Sequence, residues 1–325
     1  MSFNLRMWRS AACRSLAALA GAAALASCGG GQQVVKFAPT RLIAFGDEAS
    51  VIEDVSNNAN GRKYTVNAVK ADLVTLDCKS NLIWIQYLST AYAITFPQCN
   101  PDALALPGGI IRAAPLATVA DVATQIDTQV ASGGFSGNDL VTVLAGANDI
   151  LARYKQYPAL SADDAVAAVE QAGLALAEQV NRVGKLGGKV VVATVPDVGL
   201  TPYALAEKAA HTDTDRAALL TRLTARFNAK LRLGLINDGR MIGLIFADEL
   251  IQAMVKNPAT YSLLNVIDAV CDPVKAPQVS ACTTQTLVTA GSGTVYLWSD
   301  ALRLSPGGHT QLGSLAITRA RGNPF

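Results

Sequence analysis

The sequence predicts an α/β fold, a five-stranded parallel sheet with helices on both faces, and three observations carry that expectation. Short, mostly apolar runs alternate with stretches of helical periodicity from Arg41 to the C-terminus. Strands buried on both faces read in this way, and the intervening helices carry the chain back for parallel pairing. Two of the runs close on glycine-led polar turns, Gly46-Asp47-Glu48 and Gly146-Ala147-Asn148-Asp149, placed where open α/β sheets bind their ligands. With 325 residues, half of them hydrophobic, the chain can bury a large core.

Leu42 to Phe45 is the first strand. Leu82, Ile85, Leu88 and Tyr92 then lie at helical spacing, Ala93 to Phe96 reads as a brief second strand, and Pro107-Gly108-Gly109 as a turn. Val119, Val122, Ile126 and Val130 mark a helix that Gly133 and Gly134 end, and Leu140 to Leu144 is the third strand. Ser161 and Asp164 stand at capping-box spacing and open a helix to about Val183. Lys189 to Thr194 is the fourth strand, with Pro196-Asp197-Val198-Gly199 turning away from it. Leu220, Leu223, Phe227 and Leu231 form another helix, and Met241 to Ala247 is the fifth strand. Lys256 to Val295 is irregular and reads as a surface excursion, and Ser305-Pro306 starts a last helix, since proline suits a first turn.

In the flavodoxin-like order 2-1-3-4-5 of a three-layer α/β/α domain, the first and third strands are neighbours and the topological switch falls between them. Glu48 and Asn148 then face one crevice.

The first 27 residues read as an address. Arg6, Arg9 and Arg14 precede an apolar run from Leu16 to Ala26, too short to span a bilayer, and Leu25-Ala26-Ser27-Cys28 looks like a bacterial lipobox. Cys28 would be the acylated first residue of a lipoprotein held to the membrane, and Gly29, where aspartate would signal inner-membrane retention, points to the outer membrane. Residues 28–39 are then a flexible tether and 40–325 the domain. Of the remaining cysteines, Cys78, Cys99, Cys271 and Cys282, the sequence-local pairing of Cys78 with Cys99 and Cys271 with Cys282 closes the shortest loops, as surface staples. No C-x-x-C occurs and the two histidines, His211 and His309, lie far apart, so no metal or other cofactor is expected. The formal charge of +2 becomes −1 without the three leader arginines, 24 basic residues (27 − 3) against 25 acidic ones, and no basic cluster suits nucleic acid.

Phe45-Gly46-Asp47-Glu48-Ala49-Ser50 resembles the first block of the GDSL, or SGNH, hydrolases, whose pattern is G-D-S-L-S. Gly108-Gly109 is similar to the second block, Gly146-Ala147-Asn148-Asp149 matches the G-x-N-D third block, and Trp298 to His309 resembles the closing D-x-x-H-P-T segment. Val195 to Pro202 and Asn257 to Tyr261 are similar to linking segments of the secreted and autotransporter branch. The ordered set runs from about Thr40 to the C-terminus.

The resemblance implies acyl transfer by a serine, a histidine three residues after an aspartate, and an oxyanion hole from a glycine amide and an asparagine. Carried onto this chain, Gly109 and Asn148 are the oxyanion donors and Asp300 the orienting aspartate, but Glu48 stands at the serine's position and Arg303 at the histidine's. Arginine keeps its proton at any pH a protein survives and cannot serve as that base. The expectation is a bidentate Glu48–Arg303 ion pair, with Asp300 as a second carboxylate and Glu48 facing the positive end of a helix. Three alternatives would restore chemistry: Ser50 as nucleophile, His309 as base, or Glu48 as general base for water. Asp47 and Asp149 are expected to fix their turns, Trp298 to sit in the core, and His211 to be exposed.

The function expected is an outer-membrane lipoprotein with a catalytically impaired hydrolase-like domain, whose crevice binds an acyl ester, a glycan or a protein partner. The competing classes are a working esterase or lipase with an atypical group, and a purely structural envelope protein.

Overall fold

Five of the apolar stretches form one sheet because each places alternate side chains on opposite faces. The strands are β1 (Arg41–Gly46), β2 (Gly109–Ile111), β3 (Asp139–Leu144), β4 (Lys189–Ala193) and β5 (Ile242–Ile245). They lie in the order β2-β1-β3-β4-β5, every neighbour parallel, which is the expected 2-1-3-4-5. The structure, a computed structural model, describes residues 36–54 and 59–322. The leader, Cys28 and most of the tether lie outside the described residues.

Helices α1 (Trp84–Ala91), α2 (Val119–Ala131), α3 (Ala147–Tyr154), α4 (Ala162–Lys185), α5 (Pro202–Ala210), α6 (Arg216–Gly234), α7 (Ala247–Lys256) and α8 (Pro306–Arg321) connect and cover the strands. Ile43, Phe45, Val141, Val143, Val190 and Val192 point into one core with Val122 and Ile126 of α2, Val169 and Leu176 of α4, and Leu223 and Phe227 of α6. Leu42, Ala44, Leu140, Leu144 and Val191 point the other way, against Trp84 and Leu88 of α1, Ile251 and Met254 of α7, and Leu312 and Ala316 of α8. The sandwich therefore has three layers. Among the described residues no helix is long and apolar enough to cross a membrane.

Three sequence expectations fail in the fold. Ala93 to Phe96 is not a strand; the second strand is Gly109–Ile111, paired with Leu42 to Ala44. Ala93 leaves α1 with φ +55°, outside the extended region, and Ile94 and Phe96 are apolar because they pack beneath the sheet edge. A Cβ on Gly109 would sit 2.5 Å from the Phe96 ring, so that glycine marks a close approach inside a strand. The second concerns Lys256 to Val295, which is more than a surface excursion: Asn265–Ala269 pairs in parallel with Tyr296–Trp298, and Val270, Cys271, Ala276 and Cys282 form a small separate core with Val66.

Both disulfides form as paired from sequence, Cys78–Cys99 and Cys271–Cys282. All four cysteines are buried, so they brace interior packing, contrary to the surface staples expected.

Candidate active site

The site begins where β1 ends. Gly46 has φ +127°, and a Cβ there would fall 1.9 Å from the Leu144 carbonyl oxygen, so only glycine lets β1 and β3 finish side by side. The Gln125 side chain of α2 binds both backbone groups of Gly46, accepting from its N–H and donating to its C=O at 2.9 Å each. Asp47 then caps a single 3-10 turn, Glu48–Ser50, its Oδ1 accepting the Ala49 amide at 3.1 Å. Glu48 thus opens a helical turn as expected, but one of only three residues. From β3, Gly146 at φ +123° starts α3 and puts Asn148 in its first turn. On the opposite wall, Asp300 Oδ1 accepts the amides of Leu302 at 2.9 Å and Arg303 at 2.7 Å, and this turn aims Arg303 back at Glu48.

Arg303 donates from Nε and Nη2 to Glu48 Oε1, at 3.1 and 2.8 Å, and from Nη1 to Asp300 Oδ2 at 2.7 Å. The pair meets as expected, with one correction: both guanidinium donors converge on a single oxygen instead of bridging two. The other oxygen, Oε2, is taken by the Leu116 amide at 2.9 Å and by Asn148 Nδ2 at 3.3 Å. Glu48 is 8% exposed. Burial works against the Arg303 charge, yet Asp300 and Glu48 outweigh it and push its pKa up. Asp47 is driven well above the usual carboxylate range by burial and then by Glu48, and burial likewise raises Asp149.

Asn148 reaches the site, but Gly109 does not. The Gly109 amide donates to the Thr95 carbonyl at 2.9 Å, and Gly109 pairs with Leu42 near the start of β1, at the far end of the strand from Glu48. The backbone donor beside Asn148 is Leu116, on the loop after β2. Its sequence carries no signal for this, because a backbone amide leaves no residue-type signature.

Ser50 is fully buried and accepts from Trp84 Nε1 at 3.1 Å; it is absent from the crevice wall. His309 does reach the wall, yet its Nδ1 accepts the Trp84 amide at 3.4 Å, and burial followed by the nearby Lys63 charge lowers its pKa to about 3. It has no hydrogen bond to Glu48 or Ser50. Asp149 Oδ2 holds the Val119 amide at 3.0 Å, tying α3 to the start of α2, and the carboxylate also meets its own backbone amide within the turn. Trp298 is fully buried and His211 exposed, as expected. Lys63 went unread in the sequence: fully buried, its Nζ donates to the carbonyls of Cys78, Ser80 and Asn81, and burial lowers its pKa to about 7.

The crevice encloses about 70 Å³ between Asp47, Glu48 and Asn148 on one side and Leu302, Arg303 and His309 on the other, with Leu144, Leu151, Val195, Val198 and Trp298 as apolar wall. That is far below the roughly 300–1,000 Å³ of sites for drug-sized ligands. Among the described residues no group of three or more His, Cys, Asp or Glu could hold a metal ion. The Arg303 guanidinium thus lies on the Glu48 carboxylate, whose other oxygen is held by the Leu116 and Asn148 donors.

The sequence matches the GDSL-like Lipase/Acylhydrolase family over residues 45–238. Among solved structures it is similar to the acetylxylan esterase Axe2 from Geobacillus stearothermophilus, at 13% identity and a TM-score of 0.40 over 89% of this chain and 98% of that one. Two catalytic mutants of that enzyme align similarly, at 13% identity and TM-scores of 0.42 and 0.39. No curated protein matches the sequence. By the extent of the family match, with the ordered blocks and the parallel 2-1-3-4-5 sheet, this chain belongs to the GDSL-like lipase/acylhydrolase family.

Proposed function

We propose that this chain is an outer-membrane lipoprotein, anchored through Cys28, whose GDSL-type domain has exchanged its reacting pair for an ion pair and keeps the crevice for binding an acylated ligand or an envelope partner. The observation that supports the loss of chemistry is the Arg303 guanidinium at 2.8 Å from Glu48. The lipobox tetrapeptide behind a basic and then apolar leader supports the anchor.

The test is ester hydrolysis by the full chain with a short-chain p-nitrophenyl ester, beside labelling with a serine-directed fluorophosphonate. The expected result is neither turnover nor label. The double variant Glu48→Ser with Arg303→His should gain hydrolysis that neither single change supplies, because the Asp300 turn and the Leu116 and Asn148 donors are already in place. Labelling of the unaltered chain at Ser50 overturns the reading. For the anchor, metabolic palmitate labelling should be lost in Cys28→Ser and kept in Cys13→Ser.

A further inference from the structure

In an all-parallel sheet every strand starts at one end, and here the crevice occupies the other. β1 puts six residues between the two ends, roughly 20 Å at about 3.3 Å per residue. The starting end, the base, is where the chain enters the domain. The Thr40 amide donates to the Asn138 carbonyl at 3.0 Å, Phe37 packs edge-on against Tyr92 just past α1, and Lys189 Nζ sits 4.6 Å from the centre of the Phe37 ring. Arg321 Nη2, from the last turn of α8, joins the group by donating to the Ala91 carbonyl at 2.8 Å.

Two properties single out this base. Leu106 ahead of β2, Leu186 ahead of β4, and Leu233 and Ile236 ahead of β5 are all exposed, Leu106 by 94% and Leu233 by 78%. Large apolar side chains gathered in water at one end of a domain, among charged neighbours, mark a contact surface. Charge is segregated to the same end. Stretches 181–189, 231–241 and 318–322, where α4, α6 and α8 run out, hold seven basic residues and one acidic residue, Asp238. Carboxylates from other segments reach in, Asp127 to Arg182 and Asp248 and Glu249 to Arg232, and the base stays positive on a domain with about as many acidic as basic residues. Its remaining surface is therefore acidic.

Resting on the reading of Cys28 as an acylated anchor, we propose that the base is a lipid-docking face. It lies on the phospholipid surface that holds the anchor, with Leu106, Leu186, Leu233 and Ile236 reaching into the interfacial layer and the surrounding lysines and arginines on anionic headgroups. Nine residues lead from Cys28 to Phe37 and span about 30 Å at most, which keeps the base within that distance of the bilayer. The crevice then opens away from the membrane.

The test uses the acylated chain, purified from bacterial membranes and reconstituted in vesicles of phosphatidylethanolamine and phosphatidylglycerol with brominated acyl chains. A fluorophore is attached to Leu106→Cys, to Leu233→Cys or, beside the crevice, to Leu116→Cys, a position 66% exposed. Quenching by the brominated lipid should be several-fold stronger at Leu106 and Leu233 than at Leu116. Lys185→Glu with Arg321→Glu should reduce the quenching at Leu233, and so should replacing phosphatidylglycerol by phosphatidylcholine. Equal quenching at the three positions, stronger quenching at Leu116, or quenching at Leu233 that neither the charge reversal nor the neutral lipid reduces overturns the proposal. An unacylated Cys28, read from the mass of the purified chain, removes the anchor and this docking with it. An acylated chain whose base labels stay unquenched removes the docking alone.

Discussion

At residue scale, Arg303 balances two carboxylates that the fold has taken largely out of water. Its side chain is 23% exposed and that of Glu48 9%, so screening is limited and the loss of either partner strands a charge. Arg303→Met is expected to destabilise the domain by about 3 kcal/mol, the low end for breaking a buried pair, read as a lower urea midpoint. Glu48→Gln with Arg303→Met should recover part of that loss, since no buried Glu48 charge is then left behind. His309 makes a pH prediction. Its pKa falls from 6.5 to about 3 on folding, so the unfolded chain binds the proton that the native chain refuses. The stability His309 contributes is whole above pH 6.5 and shrinks as pH falls toward 3, with a slope of up to about 1.4 kcal/mol per pH unit. His309→Gln should flatten that part of the acid limb in unfolding curves measured between pH 7 and pH 4. That Glu48 and Arg303 meet was legible in the sequence, because the G-D-x and D-x-x-x spacings that set them in place are short and local. The side-on contact to a single Glu48 oxygen, the Leu116 amide and buried Lys63 were not, since each depends on backbone groups brought together from distant segments.

At element scale, the crevice exists because β1 and β3 end level and each turns on a left-handed glycine. Gln125 locks that arrangement from α2 through its double hydrogen bond to Gly46. Gln125→Leu keeps the volume and removes both bonds, leaving the buried Gly46 N–H without a partner while its C=O keeps the Ala114 amide at 3.1 Å. The expected cost is about 2 kcal/mol, within the range for one orphaned buried donor, together with faster hydrogen exchange at Gly46. Periodicity found the strands that are buried on both faces and missed β2. A three-residue edge strand carries too short a pattern, and Gly109 reads as a turn until Phe96 is seen packed against it. Ile94 and Phe96 misled for the complementary reason: apolarity reports burial, and burial does not require a sheet ladder.

For the whole molecule, the loops inserted around the sheet are held by covalent and small-core contacts as well as by the main core. Cys78–Cys99 joins residues 21 apart and Cys271–Cys282 residues 11 apart, loop lengths for which a disulfide adds about 3 kcal/mol. Cys78→Ser with Cys99→Ser should lower the melting temperature. It should also loosen the Lys63 cage before the sheet, since Lys63 Nζ is bound to the Cys78, Ser80 and Asn81 carbonyls. The layer architecture and strand order were readable from 325 residues of pattern, whereas the third core around Val66 and Val270 was not, because its members lie more than two hundred positions apart. The environment of Glu48 Oε2 carries a consequence at this scale. Donors buried without an acceptor weaken a native state, and a charged acceptor strengthens it. Here the Glu48 carboxylate is a permanent internal anion for the Leu116 and Asn148 donors. The domain should melt higher than its Glu48→Ser, Arg303→His counterpart, in which those donors lose their charged acceptor, so the internal anion acts as a built-in source of heat resistance.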